Sequence, residues 1–307
     1  MTMVAPSDDV AAVAPAWNDT PFGRFLEDFC ANRGALAGLA VFVAMIVLAL
    51  LAPWISPQNP YDLAQLNILD SLQPPGTAGL DGIYYWLGTD DQGRDLLSAI
   101  LYGIRISISV GTVSALVALV LGTVIGITAA YFGGWVDAMI MRIVDIQLSF
   151  PAILVAVILL ALFGRGTDKV IIALVVVQWT LYARVVRSAA LVEREKDYIQ
   201  AARCLALGRW RIMTRHLLPN CLPPLIVVST VELAYAIVLE ATLSFLGVGL
   251  PITEPSLGLL ISNGYQFMLS GKYWVSFIPG FALLTIIFSI NLVADHLRDI
   301  LDPRQDK

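Results

Sequence analysis

The chain has 307 residues, of which 58% are hydrophobic and 14% charged, and it carries a formal net charge of −5. An apolar share of that size excludes a single soluble domain of this length. The acidic balance lacks the clustered basic face that phosphate binding needs, so nucleic acid is not an expected partner.

The apolar residues arrive in blocks long enough to cross a bilayer core, which takes about 20 helical residues. A mixed segment, residues 1–34, comes first. The block behind it, Leu36–Ile55, is longer than the roughly 7–15-residue core of a cleavable signal, so it reads as a retained anchor. Further spans are predicted at Ile106–Tyr131, Met139–Phe163, Val170–Val186, Leu222–Leu246 and Val275–Val293, six in all. Pro151, two residues after Ser149, is expected to kink the third. The glycine pairs 34/38 and 122/126 suit close helix packing.

Lys and Arg set the orientation. With both termini inside, five of the basic residues (Arg94, Arg105, Arg165, Lys169 and Lys272) fall outside and the other 14 of the 19 fall inside. The positive-inside rule favours that arrangement. It brings Cys30, Cys204 and Cys221 to or near the reducing cytoplasmic side, which argues against a disulfide framework.

Two connections are long. The outer one, from Ser56 to about Arg105, is rich in proline and acidic residues. Its Asp90, Asp91 and Asp95 lack the spacing and terminal Glu of a calcium loop, and a turn centred on Gly93 and tied by Arg94 is expected instead. The inner one, from about Arg187 to Asn220, is basic and amphipathic. Tyr198, Ala202 and Leu205 fall on one helical face; after Gly208, Trp210, Met213 and Leu217 repeat at helical spacing. Two short helices with a tight turn between them are predicted, the second stopped by Pro219. Such a pair can lie on the bilayer or fit a groove of a cytosolic partner.

Gln200-Ala201-Ala202, Ala206, His216 and Leu218-Pro219 resemble the cytoplasmic loop of ATP-binding-cassette importer permeases, in which Glu-Ala-Ala is followed at fixed spacing by Gly, Ile and Leu-Pro. Gln200, Ala206 and His216 depart from that pattern, and Gly208 is expected to take over the turn from the missing glycine. Leu87-Gly-Thr-Asp-Asp-Gln-Gly-Arg-Asp95, Glu240-Ala-Thr-Leu-Ser-Phe-Leu-Gly-Val-Gly249, Pro255-Ser-Leu-Gly258 and the tail Leu297–Arg304 are similar to signatures of the peptide/nickel class, in particular its C-type permease.

The resemblance implies an all-α polytopic membrane protein with six transmembrane helices, a five-helix type I core and one N-terminal helix. The implied divisions are a cytoplasmic segment 1–34, a helix 35–56, an extracytoplasmic loop 57–105, a permease core 106–296 with a coupling loop 187–220, and a cytoplasmic tail 297–307. It further implies a bacterial inner-membrane location and passage of a solute by alternating access. The implied partners are a second homologous permease, two ATPase subunits or domains, an extracytoplasmic solute-binding protein and membrane lipid. No cofactor is expected on this chain, ATP and Mg being used by the ATPases. Di- or oligopeptides are the expected solute, with nickel or another small solute as the alternative. The coupling residues would be Gln200, Ala201, Ala202, Ala206, Gly208, Trp210, Met213, Leu218 and Pro219.

An ionised side chain at mid-membrane costs about 2.5–3.5 kcal/mol on insertion scales, so Glu232 and Glu240 must face protein or water. With Ser244 and Phe245 they either line or gate a passage or serve as structural partners. The two histidines cannot build a histidine-rich metal centre, no Gly-x-Ser-x-Gly elbow occurs, and Gly271-Lys272 lacks the glycine that begins a phosphate loop. The chain is therefore read as non-catalytic. An ATPase-independent transporter and a membrane scaffold are the readings from other classes; no internal repeat supports the former.

Overall fold

The computed structural model describes residues 21–62, 65–80 and 82–301, with the side chains of Pro21, Phe22 and Arg24 left aside. The expectations for residues 1–20 and 302–307 lie outside the described residues.

The chain is a helical bundle. A short amphipathic helix, α1 (Pro21–Ala31), leads to α2 (Arg33–Ile55), whose first amides are capped by the Asn32 side chain. The 56–95 connection follows, with the two-residue strands β1 (Thr77–Ala78) and β2 (Tyr84–Tyr85) paired antiparallel. The long helix α3 (Leu96–Phe132) then returns through the bundle. After it come α4 (Gly134–Leu148), α5 (Ala152–Phe163) and α6 (Thr167–Arg194). The basic connection carries α7 (Asp197–Cys204) and α8 (Arg209–Ile212), continued by a π-helical turn (Met213–Leu217) into α9 (Leu218–Phe245). The described residues close with α10 (Leu257–Tyr265) and α11 (Trp274–Leu301).

Among the described residues five helices are long and apolar enough to cross a membrane, or six if the bent pair α4–α5 counts as one. Each predicted span lies within one of these helices or this pair, except that the fifth, Leu222–Leu246, overruns α9 by its cap residue Leu246. The second begins at Leu96 rather than near Ile106, because Asp95 caps the helix ten residues earlier by accepting from the Ser98 amide at 2.8 Å. The third is broken rather than kinked: α4 and α5 meet at 89°. Pro151 has no amide to donate, and Ser149 and Phe150 close a turn on Asp145, Ile146 and Gln147.

Lipid supplies no hydrophobic drive between helices, so small residues decide where backbones meet. A Cβ on Gly122 of α3 would stand 2.5 Å from the Trp179 carbonyl oxygen of α6, and one on Gly126 would stand 2.5 Å from that of Ala183. Of the other pair, Gly38 alone serves packing: its Cβ would lie 2.8 Å from Leu292 Cβ on α11, whereas Gly34 meets only its own cap residue Asn32. The core between α3, α9, α10 and α11 is filled by Leu96, Ile100, Ile104, Ile237, Leu257 and Ile286. A second core joins α3, α5, α6 and α9 around Val110, Leu160, Leu174 and Leu243.

The described part of the 56–95 connection is held by its own motif. Asp90 accepts from the amides of Gln92 (2.8 Å) and Arg94 (2.9 Å), and from Arg94 Nε at 2.7 Å, with both side chains buried. Gly93 turns at φ +75° within the reach of the Asn67 carbonyl, so the Gly93-centred turn tied by Arg94 is present as read. Thr89, fully buried, donates to the Asp70 carbonyl at 2.6 Å and accepts from the Gln73 amide at 2.8 Å.

Candidate functional site

The basic connection forms a compact cap on one end of the bundle. Ile199 and Ala202 of α7, Ile212 of α8, and Leu217 of the π turn close on one another with Leu207 and Tyr131 beside them. Arg203 and Arg209 lie over the rings of Tyr131 and Phe132 at 5.8 and 5.9 Å, which ties the cap to the end of α3. Arg194 Nη1 donates to the Ala130 carbonyl at 2.7 Å and fastens the end of α6 to α3.

This geometry corrects the sequence reading at the face of α7, at Trp210 and at the turn. The inward face of α7 is Ile199/Ala202, while Leu205 stands 74% exposed and Tyr198 is turned to Asn220 and Glu193. In the second helix Met213 and Leu217 are buried but Trp210 is 71% exposed. The turn is made by Ala206, not Gly208: Ala206 sits at φ +53°, and Gly208 has an ordinary extended backbone at φ −58° and ψ 140°. The Leu207 amide reaches back to the Ala202 carbonyl (3.2 Å) and the Ala206 amide to that of Arg203 (2.9 Å). These are the paired bonds of a Schellman cap, with alanine in the left-handed position that glycine usually fills.

Pro219 does not stop the helix. The π turn over Met213–Leu217 widens the coil just before it, and the helix runs on from Arg209 to Phe245. Ala201, Gln200 and Pro219 are exposed, and Leu218 is half-buried. Gln200 Nε2 donates to the Glu195 carbonyl at 3.1 Å. Leu205 and Trp210 thus project from a closed apolar cluster, with Arg209 and Arg211 exposed next to Trp210.

The membrane-depth carboxylates occupy different settings. Glu240 is fully buried; Ser107 Oγ donates to its Oε2 at 2.7 Å and Ser244 Oγ to its Oε1 at 2.8 Å. Glu232, 7% exposed, accepts from Gln178 Nε2 at 3.0 Å, and the same amide donates to the Glu232 carbonyl at 2.9 Å. Ser244 is fully buried, and Phe245, 37% exposed, meets the Tyr265 ring edge-on at 6.3 Å. The four residues therefore do not converge on one open surface of this chain. A groove of about 340 Å³ does open between α3, α6 and α9, lined by Thr112, Leu116, Tyr182, Ser229 and Leu233.

Sequence reasoning did not find Ser107 or Gln178 because their partners lie 133 and 54 residues away. It also did not find α10, although Pro255-Ser-Leu-Gly258 carries the signals. Ser256 caps the helix by accepting from the Leu259 amide at 3.2 Å. Gly258 permits contact with α9, since a Cβ there would fall 2.1 Å from the Ala241 carbonyl oxygen.

Residues 122–307 match the family described as binding-protein-dependent transport system inner membrane component, and residues 20–75 match the N-terminal transmembrane domain of oligopeptide transport permease C. The dipeptide transport system permease protein DppC of Escherichia coli K12 is 39% identical over 304 residues, 99% of each chain. Its namesake in Alkalihalophilus pseudofirmus is 36% identical over 299 residues, 97% of this chain and 93% of that one. Among solved structures, an inward-facing MetNI methionine ABC transporter chain superposes with a TM-score of 0.54 at 22% identity, covering 66% of this chain and 96% of that one. That last likeness is one of fold.

Proposed function

This chain belongs to the family of inner-membrane components of binding-protein-dependent transport systems, as a permease subunit of an ATP-binding-cassette importer, and from that premise we propose how it works and what it carries. It forms half of a passage in a bacterial inner membrane, with both termini cytoplasmic. A second homologous permease forms the other half, lipid surrounds both, and an extracytoplasmic binding protein delivers the solute. The solute is a di- or oligopeptide: the relatives in E. coli and A. pseudofirmus are named for dipeptide transport, and residues 20–75 match a domain named for an oligopeptide transport permease.

The observation that carries the reading is the α7–α8 cap. A loop folded only to cover the helix ends would turn its large apolar side chains inward, yet Leu205 and Trp210 stand out from the cluster beneath them. Exposed aromatic and aliphatic anchors flanked by arginines suit a groove on another protein. That protein is the ATPase, one copy on each permease. ATP and Mg are used there, and this chain itself binds no cofactor and performs no chemistry. Glu240 acts structurally on this reading, because its oxygens are taken up by hydroxyls inside the chain.

Two measurements test this. Leu205→Ala with Trp210→Ala should release the ATPase subunits on co-purification while the variant stays in the membrane at wild-type level; retained ATPase would overturn the docking role. Uptake of a labelled tripeptide and of radioactive nickel, in cells with the gene deleted and restored, decides the solute. Loss of nickel uptake alone would replace the peptide assignment and keep the importer.

A further inference from the structure

Helix α4 is the least embedded of the long helices. Val144 is its one buried residue, so apolar packing secures it weakly. Both of its ends are breaks in the chain. Gly133, its cap residue, and Gly134, its first residue, have φ +64° and +53°, and Ser149-Phe150-Pro151 follows it at the 89° bend. Consecutive left-handed glycines and a proline break are positions where backbone angles can change without distorting a helix.

Among the described residues a polar seam fixes α4 between those breaks and runs to α6, while α4 also packs on α3. Arg187 grips Asp137 with two donors: Nη2 lies 2.6 Å from Oδ2, and Nε donates to Oδ1. Arg184 Nη2 lies 2.5 Å from Asp145 Oδ1. Gln147 accepts from Trp179 Nε1 at 3.1 Å and donates through Nε2 to the Val176 carbonyl. The seam thus spans about 15 Å of α4, from residue 137 to 147 at 1.5 Å per residue. Asp145 and Arg184 are 60% and 46% exposed in this chain. Charges so placed do not face hydrocarbon, so that side of the seam meets water or another protein.

Helix α6 ends at Arg194 and α7 begins at Asp197, so a force on the α7–α8 cap reaches α6 across a two-residue link. We infer that Asp137, Asp145 and Gln147 are positioning residues that make α4 travel with α6, so that displacement of the cap swings the first half of the broken span about Gly133–Gly134 and Pro151. This rests on the importer reading above and adds to it the part that converts loop movement into a change in the passage.

The test uses the whole transporter, reconstituted in lipid with its partner subunits. Asp137→Asn with Asp145→Asn should lower the solute moved per ATP hydrolysed by about ten-fold, the lower part of the range for coupling between distant sites. Amide hydrogen exchange across residues 134–148 should quicken in the same variant, while exchange across 167–194 stays as in the wild type. Exchanging the partners, Asp137→Arg with Arg187→Asp, should return both readouts towards wild type. Asp168→Asn, on the exposed Asp168–Lys169 pair at the far end of α6, should change neither. Unchanged exchange in the double variant overturns the seam, and faster exchange with coupling intact overturns its role in transport. A wild-type assembly that moves no solute would instead sink the importer reading, and the exchange arm would still decide whether the seam holds α4.

Discussion

Ser107 of α3 donates a 2.7 Å hydrogen bond to Glu240 of α9, which joins two helices across 133 residues of sequence inside a site closed to solvent. Ser244 occupies the second carboxylate oxygen at 2.8 Å. Replacing Glu240 by Leu removes the common acceptor and leaves two buried hydroxyls to find others, at a cost of about 2–5 kcal/mol. Glu240→Gln keeps one acceptor and gains a donor, so it should cost about 1 kcal/mol. Thermal unfolding of the purified complex checks this through the fully buried thiol of Cys221, read with a thiol-reactive dye above the constant signal of exposed Cys30 and Cys204. A Gln variant that melts like the wild type and yet loses transport would move Glu240 from the scaffold to the passage.

The Ala206 turn predicts opposite responses at neighbouring sites. A left-handed backbone costs an L-residue about 1–2 kcal/mol, of which glycine is relieved. Ala206→Gly should therefore stabilise the cap by up to about 1 kcal/mol, less the entropy glycine adds to the unfolded chain. Gly208→Ala should be neutral or mildly stabilising, since its φ is −58° and a Cβ there meets nothing within 4 Å. Protease resistance of the 187–220 connection in the intact membrane protein reads both. Damage from Gly208→Ala together with indifference at Ala206→Gly would mean that the turn lies where the sequence suggested.

That pair also marks how far the sequence could be read. Span positions follow from hydropathy, because bilayer thickness imposes a length on every crossing segment. The Asp90–Arg94 turn was legible from local residue types, since its contacts span only four positions. The turn at Ala206 was misread because glycine was taken as a requirement for left-handed geometry, whereas two Schellman hydrogen bonds hold an alanine there. Of the face read for α7 only Ala202 turns inward, with Ile199 beside it and Tyr198 and Leu205 exposed, because an eight-residue helix gives too few turns to fix its phase. The α4–α6 seam was invisible, as it depends on how two helices 50 residues apart are rotated towards each other.

Packing of α3 on α6 depends on absent side chains. Gly122→Ala places a methyl 2.5 Å from both the Trp179 carbonyl oxygen and Tyr182 Cβ, and Gly126→Ala meets the Ala183 backbone at 2.5 Å. Backbone atoms cannot move aside as a flexible side chain can, so each substitution should cost about 1–3 kcal/mol, and the two together should abolish accumulation in the membrane. Gly280→Ala on α11 is the control, since nothing lies within 4 Å of its Cβ position. Immunoblots of membrane fractions compare the three. Normal accumulation of the Gly122/Gly126 double variant would show that α3 and α6 lie farther apart than described.

Asp95 caps α3 from a site with no solvent exposure, and burial pushes its carboxyl above the usual carboxylate range against the opposing pull of the Ser98 hydroxyl and the Ser98 and Leu97 amides. The sign of the pH dependence follows. A raised folded-state value means that the folded chain binds this proton more tightly than the unfolded chain does. Stability from this group is then greatest at low pH and declines as pH rises from the unfolded value, about 3.9, through the raised folded value. Asparagine caps as aspartate does but does not titrate. The stability of Asp95→Asn relative to wild type should therefore improve as pH rises through that window and level off above it. Asp95→Ala removes the cap acceptor and should lose about 0.5–2 kcal/mol at every pH. Melting curves of the three proteins across the acidic range give both trends; a wild type that gains on Asp95→Asn with rising pH would mean that the amides and hydroxyl around the carboxylate outweigh its burial.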